Sequence, residues 1–200
     1  MADQLNIGNC FNETVDVYKK NILFLILATI IIQILTVYSL SILAGVLYGG
    51  YCLMLLNTMR GIEQKIILGD MFQTFKQFLP LLALFYLKII LIGIGMIALI
   101  IPGLLLATMW LYAFFFMVDK NTGIVESLKA SWTLVKQKGF WPNFTIFIIY
   151  MSLATVSAWI PNILIGWIIS LIVIPFVSLL LTSAYIQQTK EETAQAALQK

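Results

Sequence analysis

The chain contains no histidine, and only two cysteines among its 200 residues. Histidine is the commonest metal ligand and the usual acid–base group near neutral pH, so its absence removes the ordinary route to both chemistries. Cys10 precedes the long apolar runs and Cys52 lies inside one, a placement that suits neither a disulfide nor a metal site. Charge is scarce too: Asp, Glu, Lys and Arg make up 10% of the residues, against about 25% in an ordinary soluble domain. No Asp or Glu occurs in residues 22–59, 79–118 or 140–186. No paired carboxylates and no nucleophile–base pair are visible, which argues against an enzyme and against a bound cofactor. No cleavable leader is expected, because Asp3, Glu13 and Asp16 precede an apolar run far longer than a leader's core.

Apolar sequence is what the chain has in excess. It is 61% hydrophobic with a mean hydropathy of +0.97, where soluble domains run near 45–50% apolar. A lipid bilayer is therefore the expected solvent, and an all-α, polytopic membrane protein of one domain is the expected class. Residues 79–118 carry a single charge, Lys88. At about 20 residues per helical crossing, this run fits two crossings. Pro102-Gly103 lies between the halves and predicts the turn of a transmembrane hairpin.

The rest of the chain repeats that plan. Residues 22–59 are uncharged and as one helix would reach about 57 Å, too long for one crossing and enough for two short ones. A turn is expected near Tyr38-Ser39-Leu40-Ser41. Residues 140–186 divide at Pro161-Asn162 into two more, with Pro175 expected to kink the last helix. The sequence thus predicts six crossings as three hairpins, near 22–39, 42–59, 79–101, 104–118, 140–160 and 163–186. They form one membrane domain over 1–186, followed by a polar tail at 187–200. Ser41, Gly45 and Gly49 form a small-residue stripe suited to close helix packing. Gly93, Gly95 and Ala98 match a nucleotide-binding pattern, but no strand precedes them in an apolar helix, so packing is again the expected role.

The polar segments between hairpins are patterned. Phe11, Val15 and Tyr18 recur at helical spacing, as do Leu68, Phe72 and Phe75, and Leu128, Trp132 and Val135. Each triplet predicts an interfacial amphipathic helix, and their common register before each hairpin suggests a threefold internal repeat. Glu126 can pair with Lys129, and Gly139 can end its helix. Of the twelve Lys and Arg residues, all but Lys88 fall in the two termini or in loops 60–78 and 119–139, and every acidic residue falls there too. An even number of crossings puts all these segments on one face, which the positive-inside rule makes cytoplasmic.

Lys88 is the anomaly. It lies about 13–14 Å into its helix by axial rise, and a charge at that depth costs roughly 2.5–3.5 kcal/mol on insertion scales. No carboxylate lies in any expected crossing to pair with it. The alternatives are a neutral amine, a hydrogen bond to Gln33, Tyr112 or Tyr150, or an anionic group from a lipid or a partner. Lys129, Lys136 and Lys138 could meet anionic headgroups or act only as topology determinants. The expected partners are membrane lipids and other membrane proteins or a second copy of the chain, with no nucleic acid.

Several motifs resemble a set of bacterial membrane families. They are Lys20-Asn21 before the first crossing, Ile101-Pro102-Gly103, the aromatic run ending at Asp119, and Glu126-Ser127-Leu128-Lys129-Ala130-Ser131. The chain is similar in these to the YciC-type inner membrane proteins and to the membrane domain joined to some glycerophosphoryl diester phosphodiesterases. The resemblance covers nearly the whole chain, although the first hairpin turn is shorter here. It implies a bacterial inner-membrane location and no catalytic residue, since phosphodiesterase chemistry there belongs to a separate soluble domain. The expected function is a non-enzymatic scaffold or accessory protein of membrane or lipid organisation, the rival being a small transporter or lipid-handling channel that uses Lys88.

Overall fold

The computed structural model describes residues 5–39, 41–61, 66–156, 159 and 161–198. Among them every regular element is a helix: α1 Ile7–Tyr38, α2 Ala44–Met59, α3 Asp70–Gln73 with a 3₁₀ turn Thr74–Gln77, α4 Phe78–Ala98, α5 Ile100–Met109, α6 Ala113–Lys120, α7 Ile124–Lys138, α8 Phe140–Val156 and α9 Ile163–Leu198. Among the described residues four stretches are long and apolar enough to cross a membrane, Ile7–Tyr38, Asp70–Ala98, Ile100–Lys120 and Leu164–Thr189. The apolar helices at Ala44–Met59 and Phe140–Thr155 are shorter, reaching only about 24 Å each. Large apolar side chains stand exposed along α1, α4 and α9, Leu23, Ile90 and Ile168 among them. That much exposed apolar surface fits a membrane protein.

The expected interfacial helix and first crossing are one helix with a kink. Asn6 caps α1 by accepting from the Asn9 amide at 3.1 Å. At Asn21 the backbone leaves helical geometry (φ −122°, ψ 15°) while its side-chain amide donates to the Val17 carbonyl at 3.1 Å. A side chain that bonds its own preceding turn competes with the helical ladder, and the helix bends there. The following reversal passes through Ser41, which adopts a left-handed φ of 65°. Ser41 is therefore a turn residue, and the small-residue stripe on α2 begins at Gly45.

The central hairpin turns earlier than the sequence suggests. Leu99 is fully extended (φ −160°, ψ 132°), and α5 starts at Ile100. Pro102 sits in the first turn of α5, where a missing N–H costs nothing. Gly103 permits close approach: a Cβ there would lie 2.7 Å from the Met96 backbone nitrogen, and one on Gly95 would lie 3.0 Å from the Gly103 Cα. Pro102-Gly103 thus shapes the returning helix and leaves the reversal to Leu99. The expected crossing at 104–118 is also broken, into α5 and α6, with Trp110, Leu111 and Tyr112 between them. Pro175 lies inside α9 without ending it, and α9 runs on through the expected tail to Leu198.

The short helix α2 occupies the centre, packed against α1, α3, α4, α6 and α9. Most of its side chains are buried, including Leu47, Met54, Leu55 and Leu56. Glycine makes this position possible. A Cβ on Gly45 would sit 2.7 Å from the Leu81 carbonyl oxygen of α4, one on Gly49 would sit 2.8 Å from the Leu81 side chain, and one on Gly50 would sit 2.0 Å from the Met71 carbonyl oxygen. Gly50 was not singled out in the sequence, because the α3 backbone it touches lies outside any apolar run.

α1 and α9 pack antiparallel, so the chain's beginning meets the end of the last apolar helix. Asn6 N donates to Gln187 Oε1 at 3.0 Å, and Ser183 Oγ donates to Glu13 Oε2 at 2.8 Å. The same end of the bundle gathers the other polar segments. The Arg60 guanidinium grips the Asp119 carboxylate with two hydrogen bonds, Tyr185 Oη donates to Asp119 Oδ2 at 2.9 Å, and Gln77 bonds Asn121. The hydrogen-bonded Asp119 carboxylate raises the Arg60 pKa above its ordinary value.

The amphipathic triplets turn largely outward. Phe11, Phe72, Phe75 and Trp132 are exposed, and only Leu128 and Val135 are buried. The inward faces are made instead by Cys10 and Thr14, by Met71 and Thr74, and by Ser127 and Ser131. Small hydroxyl residues fit against neighbouring helices and bond their carbonyls, as Thr74 Oγ1 does to Val46 O at 3.2 Å. Helical spacing alone could not separate a lipid-facing stripe from a packing stripe.

Replacing Gly50 by Ala forces the Met71 backbone to move, and the expected cost is about 1–3 kcal/mol. Gly93→Ala meets no atom within 4 Å and should leave stability unchanged or raised by up to about 1 kcal/mol. Thermal unfolding of both variants in the same detergent tests the contrast.

Candidate functional site

Three residues, Trp110-Leu111-Tyr112, interrupt the helix that returns from the central hairpin. A helix end leaves carbonyls and amides without intrahelical partners, and in an apolar bundle each one left unpaired is costly. Two side chains from other helices meet this demand. Ser131 of α7 donates to the Met109 carbonyl at 2.8 Å and accepts from the Tyr112 amide at 3.1 Å, so one hydroxyl bridges both sides of the break. Lys88 Nζ of α4 donates to the Trp110 carbonyl at 2.7 Å. This places the lysine at the C-terminal end of α5, where the helix dipole favours a cation. Its Nζ also stands 5.1 Å from the centre of the Phe114 ring, within range of a cation–π attraction.

Lys88 therefore finds its protein partner in a backbone carbonyl and an aromatic face. Gln33 and Tyr112, two of the side chains considered from sequence, are otherwise engaged. Gln33 Nε2 donates to Ser170 Oγ at 3.0 Å. Tyr112 Oη bonds Asn143 Oδ1 at 2.9 Å and Gln188 Nε2 at 3.1 Å, forming a buried polar cluster among the break, α8 and α9. Tyr150 lies beside the lysine in the wall of a common groove.

That groove has a volume of about 490 Å³ and is bounded by α4 and α8, with deeper contributions from α2, α5, α6 and α9. α4 and α8 make no extended contact with one another. The edges carry Ile89 and Met151, which are 51% and 42% exposed. Lys88, Tyr48 and Tyr150 bring the nitrogen- or oxygen-bearing side chains, and the rest of the lining is apolar. Gly93 lines the groove as well, so this glycine keeps a wall open and does not seat a neighbouring helix. Lys88 lies midway along α4, about 15 Å from either end by helix rise.

The three loop lysines do not form one site. Lys129 and Lys136 are exposed on α7, while Lys138 is buried. Lys129 borders a second, shallower groove of about 500 Å³ with Trp110, Val125, Leu128, Trp132 and Thr133. α7 is well terminated: Glu126 Oε2 accepts from the Gly123 amide at 3.2 Å, and Gly139 after its last turn has a φ of 99°. In the sequence Ser131 stands only as the last residue of the Glu126–Ser131 motif and Phe114 only within the aromatic run, with no role assigned to either, and Tyr48 was not singled out. The break that gives Ser131 its role carries no proline or glycine to announce it. Both cysteines are free and buried.

Comparison with protein-family models, with curated proteins and with solved structures finds no match to this chain.

Ser131→Ala would leave the Met109 carbonyl and the Tyr112 amide unpaired. A loss of about 1–3 kcal/mol for each buried group sets the expected scale, whereas Ser131→Thr keeps the hydroxyl. Unfolding of the two variants by denaturant in detergent measures the difference.

Proposed function

We propose that this chain is a non-enzymatic integral membrane protein that serves membrane or lipid organisation, as a scaffold or an accessory subunit of a larger assembly. In this reading α2 and α8 complete six crossings, both termini and the 60–78 and 119–139 segments are cytoplasmic, and the membrane is a bacterial inner membrane of the kind its motifs resemble. The observation that carries it is the outward belt at the polar end of the bundle. Phe72 and Phe75 stack with ring centroids 5.9 Å apart, and α7 exposes Val125 and Trp132 beside Lys129. Aromatic rings with adjacent lysines suit the headgroup boundary, and each lysine near an anionic surface contributes about 1 kcal/mol. The partners are membrane lipids and neighbouring membrane proteins or a second copy.

A second reading, a small transporter or lipid-handling channel, draws on the groove at Lys88. Its apolar walls favour hydrocarbon over a hydrated solute, which makes lipid handling the better form of that reading.

Two measurements test the proposal. In a chain lacking Cys10 and Cys52, Ser41→Cys and Asn162→Cys should react with an impermeant maleimide on intact cells. Asn121→Cys should react only after lysis; the reverse pattern would overturn the topology. Extraction in native membrane discs should then recover anionic lipid enriched over the surrounding bilayer, with the enrichment reduced at least twofold by Lys129→Gln together with Lys136→Gln.

A further inference from the structure

The groove between α4 and α8 joins three properties. It opens sideways, where exposed Ile89 and Met151 edge the gap, so its natural source of ligand is the bilayer. Its lining is hydrocarbon and aromatic over most of its extent. It also contains the amino group of Lys88, for which no carboxylate lies within ion-pairing distance among the described residues. Nζ gives one N–H to the Trp110 carbonyl; as a neutral amine it keeps a second N–H and a lone pair, and protonated it has three donors. The helix C-terminus and the Phe114 ring favour a cation here, but neither supplies a counter-charge.

We propose that this groove binds a long-chain fatty acid, its alkyl chain along the apolar wall and its carboxyl group paired with Lys88. The proposal rests on reading the chain as a membrane protein of lipid organisation and names the lipid that its interior site takes. Depth selects the carboxyl group over a phospholipid headgroup. Lys88 lies about 15 Å from either end of α4, near the middle of a hydrocarbon core roughly 30 Å thick. A phosphodiester with its glycerol cannot be drawn to that depth without dehydrating a permanent anion. A carboxylic acid enters the core uncharged, carrying its own proton, and on arrival hydrogen-bonds the neutral Lys88 amine or gives it that proton, forming an ammonium–carboxylate pair with no change in net charge. Either form gives the lysine the partner that the chain does not supply. The volume of about 490 Å³ falls within the roughly 300–1,000 Å³ of small-molecule sites. The open wall at Gly93, where an added Cβ would meet nothing within 4 Å, leaves a path for the chain away from Lys88.

The test uses the full-length protein in nanodiscs of zwitterionic lipid, with a diazirine-bearing palmitic acid as probe. The expected result is photolabelling of α4 and α8 peptides, displaced by unlabelled palmitate and at least tenfold less well by hexadecanol or phosphatidylglycerol. Lys88→Met should weaken labelling at least tenfold. Gly93→Leu should weaken it as well by filling the groove while keeping the lysine, and it guards against a Lys88→Met protein that does not fold. Equal competition by hexadecanol would overturn the role of the carboxyl group, and equal competition by phosphatidylglycerol would assign the site to a phospholipid. Unchanged labelling in Gly93→Leu, or labelling confined to other helices, would overturn the site itself. Failure here with the topology and anionic-lipid enrichment intact would remove only the fatty-acid site; failure of those two would remove the broader reading.

Discussion

A broken helix inside an apolar bundle must find partners for its backbone, and that requirement shapes the middle of this protein. Between α5 and α6 the chain leaves helical geometry for three residues. Water cannot satisfy the freed groups in lipid, so side chains from other helices must. Ser131 does so from α7 and Lys88 from α4. The break therefore anchors the α7 segment to the central hairpin and explains how a lysine is tolerated midway along an apolar helix. A carbonyl at a helix C-terminus is a weaker partner than a carboxylate, yet it is fixed in place and carries the right sign.

Around this centre the packing depends on small residues. α2 is too short to be a comfortable crossing and is buried on most sides, a position open to it because Gly45, Gly49 and Gly50 remove the side chains that would collide with α4 and α3. The same device joins α4 to α5 through Gly95 and Gly103. Where no neighbour fills the space beside a glycine, as at Gly93, a groove results. Lys88 lies on the rim of that space, so the residue that stabilises the break also gives the groove its polarity.

The polar end of the bundle is tied by longer-range contacts. Arg60 to Asp119, Tyr185 to Asp119 and Asn6 to Gln187 connect segments far apart in the chain. Arg60 and Asp119 are visible in the sequence as charges flanking apolar runs, but nothing in their spacing pairs them. The aromatic residues of the amphipathic segments were legible as helical stripes. Their outward direction was not, because both lipid and a protein neighbour reward the same apolar spacing.

The sequence by itself determined the solvent and the class of fold. Its apolar runs leave helices as the economical way to satisfy the backbone in lipid, and the clustering of charge outside those runs marks their ends. It also marked Lys88 as the residue out of place, since one lysine in a carboxylate-free run needs no structure to be noticed. Tertiary structure alone decided what surrounds that lysine. The extended Leu99, the break at Trp110–Tyr112 and the gap between α4 and α8 come from how helices fit against one another. Pro102-Gly103 misled for the same reason: local turn chemistry marks where a chain is able to reverse, and packing against Met96 and Gly95 settles where it does.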